Sequence, residues 1–169
     1  MNDSQLHAEN SCFEIREIES GKESYMDLLL IGDESEKMII RYLGRGRMWA
    51  GFLNGKPVAV CVATVESPRV IEVKNLAVTA DSRRKGLGRK MLLHVEAVFP
   101  GKSFQLGTGE TPSTLRFYNS CGYRYSHRQP DFSRLNYPFP IIEEGVELRD
   151  MVYLVKSPEL LGTALSDTQ

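Results

Sequence analysis

The sequence predicts a mixed α/β (α+β) domain, and three observations support this fold class. Asn54-Gly55 stands between two apolar runs, which is typical of a β-hairpin because both residues tolerate the positive φ angles of a type I′ turn. Residues 87–99 carry apolar side chains at helical spacing, whereas Val70–Val78 is a strand-like run. A hairpin beside a strand–loop–helix unit indicates a sheet covered by helices.

The N-terminal part predicts one strand followed by two helices. Apolar and polar residues alternate over residues 12–17, as in a half-buried strand. Apolar residues then recur at helical spacing as far as Tyr42. Gly32-Asp33 interrupts this stretch and divides it into two helices.

The middle of the chain predicts an antiparallel meander of three strands. We expect the strands at residues 48–53, 57–65 and Val70–Val78. Pro57 can open the second strand, because the missing N–H costs least at a first position. A turn near Ser67-Pro68 then leads to the third strand.

The C-terminal half predicts helix, strand, helix and two strands. The helix at residues 87–99 stops at Pro100-Gly101 and is followed by a strand at 103–106. Thr111-Pro112 opens the next helix and Gly122 ends it, since threonine caps helices and glycine favours the position after them. The last strands are expected at 123–127 and 148–156, joined by a proline-rich connection at 128–146.

The length of 169 residues favours one domain with an ordinary core. We expect that single domain at residues 12–157. Residues 1–11 are predicted to be a flexible N-terminal tail and residues 158–169 a flexible C-terminal tail.

Composition argues against several classes of protein. A formal net charge of −1 argues against a protein devoted to nucleic acid or to anionic membranes. The first ten residues are polar and mixed in charge, so no signal peptide is expected there, and no apolar run is long enough to cross a bilayer. Three scattered cysteines without a CxxC pair predict free thiols and a cytoplasmic protein. The three histidines lie far apart, so no metal site is expected.

A basic, glycine-containing loop at residues 83–88 is the most informative segment of the chain. It reads Arg-Arg-Lys-Gly-Leu-Gly and stands where the third helix begins. Unpaired N–H groups at a helix N-terminus bind anions, glycines permit close approach of a ligand, and arginine adds charge-assisted bonds. A pyrophosphate fits these properties. A solvated helix start or a short nucleic-acid patch is the alternative, whereas the Walker and dinucleotide patterns do not match.

Two segments together resemble the GNAT (Gcn5-related N-acetyltransferase) family. Residues 72–78, Glu-Val-Lys-Asn-Leu-Ala-Val, followed by the basic loop, resemble the family's motif A, whose signature falls on Arg83, Gly86 and Gly88. Residues 117–123, Phe-Tyr-Asn-Ser-Cys-Gly-Tyr, resemble its motif B. The resemblance covers roughly residues 48–155. It implies the GNAT fold, a mixed and mostly antiparallel central sheet flanked by helices.

The resemblance also implies that acetyl-CoA is the co-substrate and that no metal takes part. The strand before the basic loop would pair with the pantetheine arm, and the helix start would bind the pyrophosphate. The residues implied in binding the cofactor are Leu76, Ala77, Val78, Arg83, Arg84, Lys85, Gly86, Leu87, Gly88 and Arg89.

The implied reaction is transfer of the acetyl group to a primary amine of a small molecule or peptide, by direct attack in a ternary complex. The N–H of Ala77 or Val78 would donate to the thioester carbonyl. Tyr118 would protonate the departing thiolate. The alternative is that its ring only packs against the sheet and takes no part in catalysis. Glu72 would be the base that takes the proton from the amine. If Glu72 only forms an ion pair with Lys74, the amine proton would pass through water to the solvent instead.

The alternation of side chains along the strand Val70–Val78 affects the role expected of Glu72. It predicts that four residues share one face of the strand, which would allow the pairing with lysine. The four residues are Glu72, Lys74, Leu76 and Val78.

Two positions depart from the family pattern. Thr111-Pro112 stands where many members carry asparagine, which puts that contact to the pantetheine arm in doubt. Cys121 lies within motif B, where a nucleophilic thiol would imply a covalent intermediate. No histidine lies near it in sequence to activate it, so we interpret it as a core residue.

The resemblance implies that the acceptor meets the first helices and the connection at 128–146. This segment carries aromatic and acidic residues that would suit a cationic amine, although a solvated loop fits equally well. The residues are Asp131, Tyr137, Phe139, Glu143 and Glu144. Two other classes stay open: a catalytically silent CoA-binding sensor, and a nucleic-acid module using the basic patch. The chain is expected to be a monomer or a homodimer.

Overall fold

Seven strands form one central sheet in the computed structural model, which describes residues 11–158. The strands of the chain are β1 (Phe13–Glu17), β2 (Arg47–Leu53), β3 (Lys56–Ser67), β4 (Val70–Val78), β5 (Ser103–Thr108), β6 (Arg124–Gln129), β7 (Ile141–Glu143), β8 (Val146–Leu148) and β9 (Met151–Lys156). Their order in the sheet is β1-β2-β3-β4-β5-β9-β6, and β7 and β8 form a separate hairpin. Only the β4–β5 pair is parallel among the described strands.

Five α-helices flank the central sheet in the described part of the chain. They are α1 (Met26–Gly32), α2 (Glu36–Leu43), α3 (Leu87–Val98), α4 (Pro112–Ser120) and α5 (Phe132–Asn136). The predicted break at Gly32-Asp33 is confirmed, because α1 ends at Gly32 and Ser35 caps α2. The predicted tails lie largely at residues 1–10 and 159–169, outside the described residues. No helix within residues 11–158 is long and apolar enough to cross a membrane.

The sheet is covered on both faces, and residues 11–158 contain an apolar cluster on each face. One cluster lies beneath α3 and α4 and contains, fully buried, Trp49, Cys61, Ile71, Met91, Phe104 and Tyr123. The other lies beneath α1 and α2 and contains Leu29, Ile39, Met48, Val60 and Val62. Burial of each large apolar side chain stabilises the fold by about 1.5–3 kcal/mol.

The predicted hairpin between β2 and β3 is confirmed in its turn geometry. Asn54 has φ 51° and Gly55 has φ 80°, the left-handed pair of a type I′ turn. The turn therefore sets the register in which β2 and β3 pair.

A Gly55→Ala variant is expected to lower the free energy of unfolding by about 1 kcal/mol, since alanine is strained at positive φ. Gly44→Ala is the matched control, because Gly44 has φ −67° and open space around its Cα. That control should be neutral or slightly stabilising. Chemical denaturation measures both, and equal losses in the two variants would contradict the turn geometry.

Strand β4 contains a bulge and then parts from its neighbour. Lys74 is the extra residue, since the residues on either side of it pair with consecutive residues of β3. Val73 is the last residue of β4 that pairs with β5. The two parallel strands splay beyond this point, so the edge of β4 at residues 76–78 faces a gap.

The bulge overturns the prediction that four alternate residues of β4 lie on one face. Leu76 and Val78 pack against the cluster beneath α3. Glu72 and Lys74 instead form an ion pair on the α2 side of the sheet. An extra residue shifts the alternation by one, which a period of two cannot anticipate.

The C-terminal region holds more structure than the sequence predicts. The proline-rich connection at 128–146 contains α5 and the β7 strand, and the predicted strand at 148–156 is divided between β8 and β9. Glu144 and Gly145, with φ 50° and 75°, form the tight turn between β7 and β8. Glu-Gly is a weaker signal for such a turn than Asn-Gly, so the hairpin was not predicted.

A buried polar network joins α3 to β9 within the larger cluster. Glu96 accepts from Lys156 Nζ at 2.8 Å and from Tyr123 Oη at 2.9 Å. Both charged side chains are buried, so each neutralises the other away from water. The network fixes the start of β6 directly after α4.

Candidate active site

The gap between β4 and β5 opens into a cleft of about 820 Å³. We call it the main cleft. Residues 76–78 of β4 form one wall and α4 forms the other, with the start of α3 at one end. Because β5 has left β4 here, backbone N–H and C=O groups of β4 face the cleft and can bind an extended ligand as an added strand would.

The basic loop at residues 83–88 ends the main cleft. Arg84 and Gly86 have φ 61° and 73°, so the loop turns sharply into α3. The first intrahelical bond runs from Lys90 N–H to Gly86 O at 3.1 Å, which leaves the earlier N–H groups of the helix without a partner inside it. Gly88 lies against the Phe117 ring, where a side chain would crowd the cleft. This helix start is therefore shaped to receive an anionic group.

The cations of the loop differ in what they can reach. Arg83 Nε donates to Val78 O at 3.2 Å, and Arg89 Nη1 donates to Ser120 O at 2.8 Å. Arg84 and Lys85 are exposed and form no ion pair within residues 11–158. The Arg89 guanidinium is thus engaged at the C-terminal end of α4, and Arg84 and Lys85 remain available for phosphate oxygens.

Eight of the ten predicted cofactor-binding residues line the main cleft together. They are Leu76, Ala77, Val78, Arg83, Arg84, Gly86, Leu87 and Gly88. Lys85 and Arg89 do not line it. Lys85 is exposed beside the cleft, where it adds positive charge near the helix start.

Tyr118 lines both the main cleft and an adjoining inner cavity of about 160 Å³. The end of α4 holds the tyrosine in place: Tyr123 N–H donates to Tyr118 O at 3.0 Å, and Gly122 has φ 94°, as in a Schellman motif. Its ring packs edge-on against Phe117 and Tyr123. The Tyr118 hydroxyl makes no hydrogen bond to any described residue. It is free to meet a ligand.

Burial is the main cause of a raised pKa at Tyr118, with smaller contributions from Cys61 and Cys121. The phenol therefore stays protonated at neutral pH. A protonated phenol can donate to a thiolate or an oxyanion in the main cleft.

Glu72 is nearly buried, and both of its oxygens are occupied. Lys74 Nζ donates to Oε1 and Gln105 Nε2 donates to Oε2, each at 2.7 Å. Glu72 lines an outer cavity of about 210 Å³ on the α2 side, beside Tyr153, and does not line the inner cavity that contains Tyr118. The pairing with Lys74 considered from the sequence is thus present.

Asp33 is a site residue that the sequence did not indicate. It accepts from Tyr137 Oη at 2.9 Å, from Ser35 N–H at 3.1 Å and from Tyr42 Oη at 3.5 Å. Asp33 lines both the inner and the outer cavity. Burial raises its pKa, although the three hydrogen bonds act in the opposite direction. The Tyr137 bond spans 104 residues of sequence, so no local pattern could have revealed it.

The predicted acceptor residues fall into two groups. Tyr137 and Glu143 line the inner cavity, and Glu144 lines the main cleft and contacts Ser113. Asp131 lies near Arg149 on another part of the surface. Phe139 is exposed in a separate groove. Asp131 and Phe139 therefore do not lie with the other three residues that were expected near the acceptor.

The cysteines lie away from both cavities and the main cleft. All three are free thiols, with Cys12 exposed and Cys61 and Cys121 buried. Burial raises the pKa of Cys61 to about 12 and also raises that of Cys121. These environments favour inert thiols, as the sequence indicated for Cys121. No three His, Cys, Asp or Glu side chains within residues 11–158 come together as a metal site.

Comparisons with known proteins agree with this geometry. The sequence profile of the acetyltransferase (GNAT) domain matches residues 44–125. The chain is 32% identical to the uncharacterized N-acetyltransferase YvbK of Bacillus subtilis, a match that covers 81% of this chain and 93% of that protein.

Two solved structures resemble the chain over most of its length. One is a GNAT family acetyltransferase from Elizabethkingia anophelis with acetyl-CoA bound, with TM-score 0.80 and 28% identity over 86% of this chain and 97% of that one. The other is a Bacillus subtilis acetyltransferase in complex with CoA, with TM-score 0.79 and 28% identity over 86% of this chain and 99% of that one.

Proposed function

Because this chain belongs to the GNAT family of acetyltransferases, we propose that it transfers the acetyl group of acetyl-CoA to a primary amine by direct attack in a ternary complex. One observation carries the proposal: the main cleft runs from an anion-binding helix start to Tyr118 at the edge of the inner cavity. A long cofactor and a small acceptor can therefore meet at one point.

Acetyl-CoA fits the main cleft in chemical character. Its pyrophosphate would bind the N–H groups at the start of α3, with Arg84 and Lys85 adding charge. Its pantetheine arm would pair with residues 76–78, whose edge faces the gap left by β5. Relatives of similar fold with acetyl-CoA or CoA bound support this placement.

The transfer itself depends first on proximity. Holding the amine and the thioester together can remove roughly 7–11 kcal/mol of the barrier. The N–H of Ala77 or Val78 would donate to the thioester oxygen as negative charge develops there. Tyr118 would then give its proton to the leaving thiolate.

We place this activity in one domain at residues 12–157, and the free thiols favour a reducing compartment such as the cytoplasm.

The amine must also lose a proton, and the contacts of Glu72 affect whether its carboxylate can accept that proton. A carboxylate that already accepts from Lys74 and Gln105 is a poor direct base. The outer and inner cavities adjoin at Val73 and Lys74, so water could carry the proton towards Glu72 or to solvent.

A Glu72→Gln variant is expected to lower kcat by less than about tenfold, because water would still accept the proton. Steady-state release of CoA thiol measures the effect, with Glu66→Gln as a control that also loses a partner of Lys74. A loss beyond about 100-fold in Glu72→Gln alone would instead make Glu72 the base.

Initial-rate kinetics test the proposed function. Purified protein is assayed for CoA thiol release with acetyl-CoA and a panel of primary amines, varying both substrates. Intersecting reciprocal plots and amine-dependent thiol release are expected for a ternary complex. Tight acetyl-CoA binding without release to any amine would favour a CoA-binding sensor.

A further inference from the structure

The inner cavity is lined by carboxylates that lack partners of opposite charge. Asp33, Glu34 and Glu143 form no ion pair with any described residue. The pKa of Glu143 is raised, first by burial and then by the negative charges of Glu34 and Glu144, so these groups lie close together. The inner cavity therefore holds a concentrated negative charge.

The remaining charges of the inner cavity do not offset these carboxylates. Lys74 is the lining cation within the described residues, and it already binds Glu72 at 2.7 Å and lies 3.8 Å from Glu66. Asp150, another lining residue, is neutralised by Arg128 at 2.9 Å.

A buried amide oxygen in the same cavity points to a ligand that donates hydrogen bonds. Asn75 is 3% exposed, and its Nδ2 donates to Leu29 O at 2.9 Å and to Tyr42 Oη at 3.0 Å. Its Oδ1 has no hydrogen-bond partner among the described residues. Gly32 lies directly against this oxygen, and both residues line the inner cavity. A buried acceptor left unpaired costs roughly 1–3 kcal/mol, so a donor on the ligand would be stabilised here.

Apart from hydroxyls such as that of Tyr118, the unmatched polar groups of the inner cavity are acceptors. The Tyr137 hydroxyl, which lines the inner cavity and could donate to an anionic ligand, is directed at Asp33. An acceptor molecule bearing a carboxylate or phosphate would meet repulsion. A metal ion is disfavoured as well, because no three potential ligands converge within residues 11–158.

The reaction adds a further requirement. The nitrogen that attacks the thioester must be neutral, whereas a cavity rich in carboxylates stabilises the protonated amine. A molecule with a single amine would be held in its unreactive form. Both requirements are met when one amine of the acceptor stays protonated in the inner cavity and a second, neutral amine attacks the thioester.

We propose that the acceptor is a diamine or polyamine, held as an ammonium by the combined negative charge of Asp33, Glu34 and Glu143 along the inner cavity while its other amine attacks acetyl-CoA. The proposal rests on the proposed function. The neutral nitrogen forms the bond to the carbonyl carbon, and the C–S bond breaks. CoA leaves as the thiol after taking a proton from Tyr118, the proton lost by the nitrogen passes to water, and Tyr118 regains a proton from the solvent. The products are an N-acetylated diamine and CoA.

A series of matched four-carbon compounds tests the proposal. Butane-1,4-diamine, butylamine and 4-aminobutanoate are compared for kcat/KM of acetylation and for binding to the enzyme–CoA complex by calorimetry. The diamine should exceed both others by at least about tenfold in each measurement, since each added charged hydrogen bond contributes at this level.

Variants assign the preference to the cavity. The double variant E34Q/E143Q and the single variant Asp33→Asn should each reduce the preference for the diamine at least about tenfold. Glu147→Gln is the control, because Glu147 lies on the same hairpin but lines neither the inner cavity nor the main cleft.

The outcomes separate this inference from the proposed function. Equal or better use of butylamine or 4-aminobutanoate would overturn the diamine proposal and leave the acetyltransferase intact. Preferential binding of the diamine without any acetylation would support the cation site and contradict the proposed function. Failure of the diamine to bind the enzyme–CoA complex would overturn the inference.

Discussion

A Gly86→Glu variant is expected to bind acetyl-CoA at least about 100-fold more weakly than the wild type, because its carboxylate would stand at the helix start that receives the pyrophosphate. Gly86 precedes α3 with φ 73° and borders the main cleft. A carboxylate there would occupy the positive end of the α3 dipole in place of the bound anion and would also repel that anion. Calorimetric titration with acetyl-CoA measures the loss.

Gly101→Glu is the matched control for this variant. Gly101 has φ 72° and no atom near its Cα, as at Gly86, but it lies in the turn before β5 and away from the main cleft. Both variants should lose about 1–2 kcal/mol of stability from the left-handed backbone. Only Gly86→Glu should lose affinity, and a comparable loss in Gly101→Glu would show that the effect is not local to the basic loop.

Tyr118→Phe is expected to lower kcat by about 10²–10⁴-fold with little change in affinity for acetyl-CoA, because it removes only the proton donor. The Tyr118 hydroxyl makes no hydrogen bond to a described residue, so its removal leaves no buried group unpaired there. The edge-on packing of the ring against Phe117 and Tyr123 is retained. Pre-steady-state thiol release and calorimetry separate the two effects.

The pH dependence of this tyrosine has a definite sign. Its folded-state pKa lies above the ordinary value, so the stability that the protonated phenol contributes is fully present below about pH 10 and is lost as pH rises through the folded-state pKa. Ionisation of Tyr118 should therefore not lower kcat between pH 7 and about pH 9.

Tyr125→Phe, on exposed β6, is the control for the Tyr118→Phe variant and should leave kcat unchanged. An unchanged kcat in Tyr118→Phe would remove the tyrosine from the mechanism.

Local features of the fold could be predicted from the sequence because they depend on neighbouring residues. Asn54-Gly55 adopts positive φ angles in any context that forms a tight turn, and Gly122 ends α4 for the same reason. The helix start at residues 83–88 combines charge and glycine within one short segment. The turn, the helix end and the shape of this helix start can therefore be predicted from short segments of sequence.

The remaining parts depend on contacts between distant residues. Lys74 becomes a bulge only through its register against β3, and that bulge moves Glu72 away from the face of Leu76. Asp33 becomes a site residue only when Tyr137, far along the chain, donates to it. Neither feature leaves a periodic or compositional signal in its own segment.

In the predicted acceptor region too, some features follow from the local sequence and others depend on contacts between distant residues. Its acidic and aromatic character could be predicted from composition, but α5 and the β7–β8 hairpin decide which side chains face the inner cavity. Glu143 faces it and Phe139 does not. A loop without predicted structure gives no basis for that choice.

Direct transfer is the central claim, and a single-turnover experiment followed by mass spectrometry tests it most directly. Protein in excess over acetyl-CoA is mixed with butane-1,4-diamine, quenched and analysed for both the intact protein and the amine. We expect the amine to gain one acetyl group while the protein mass stays unchanged throughout the time course. An acetyl group appearing on the protein before it reaches the amine, for example on Cys121, would contradict direct attack in a ternary complex.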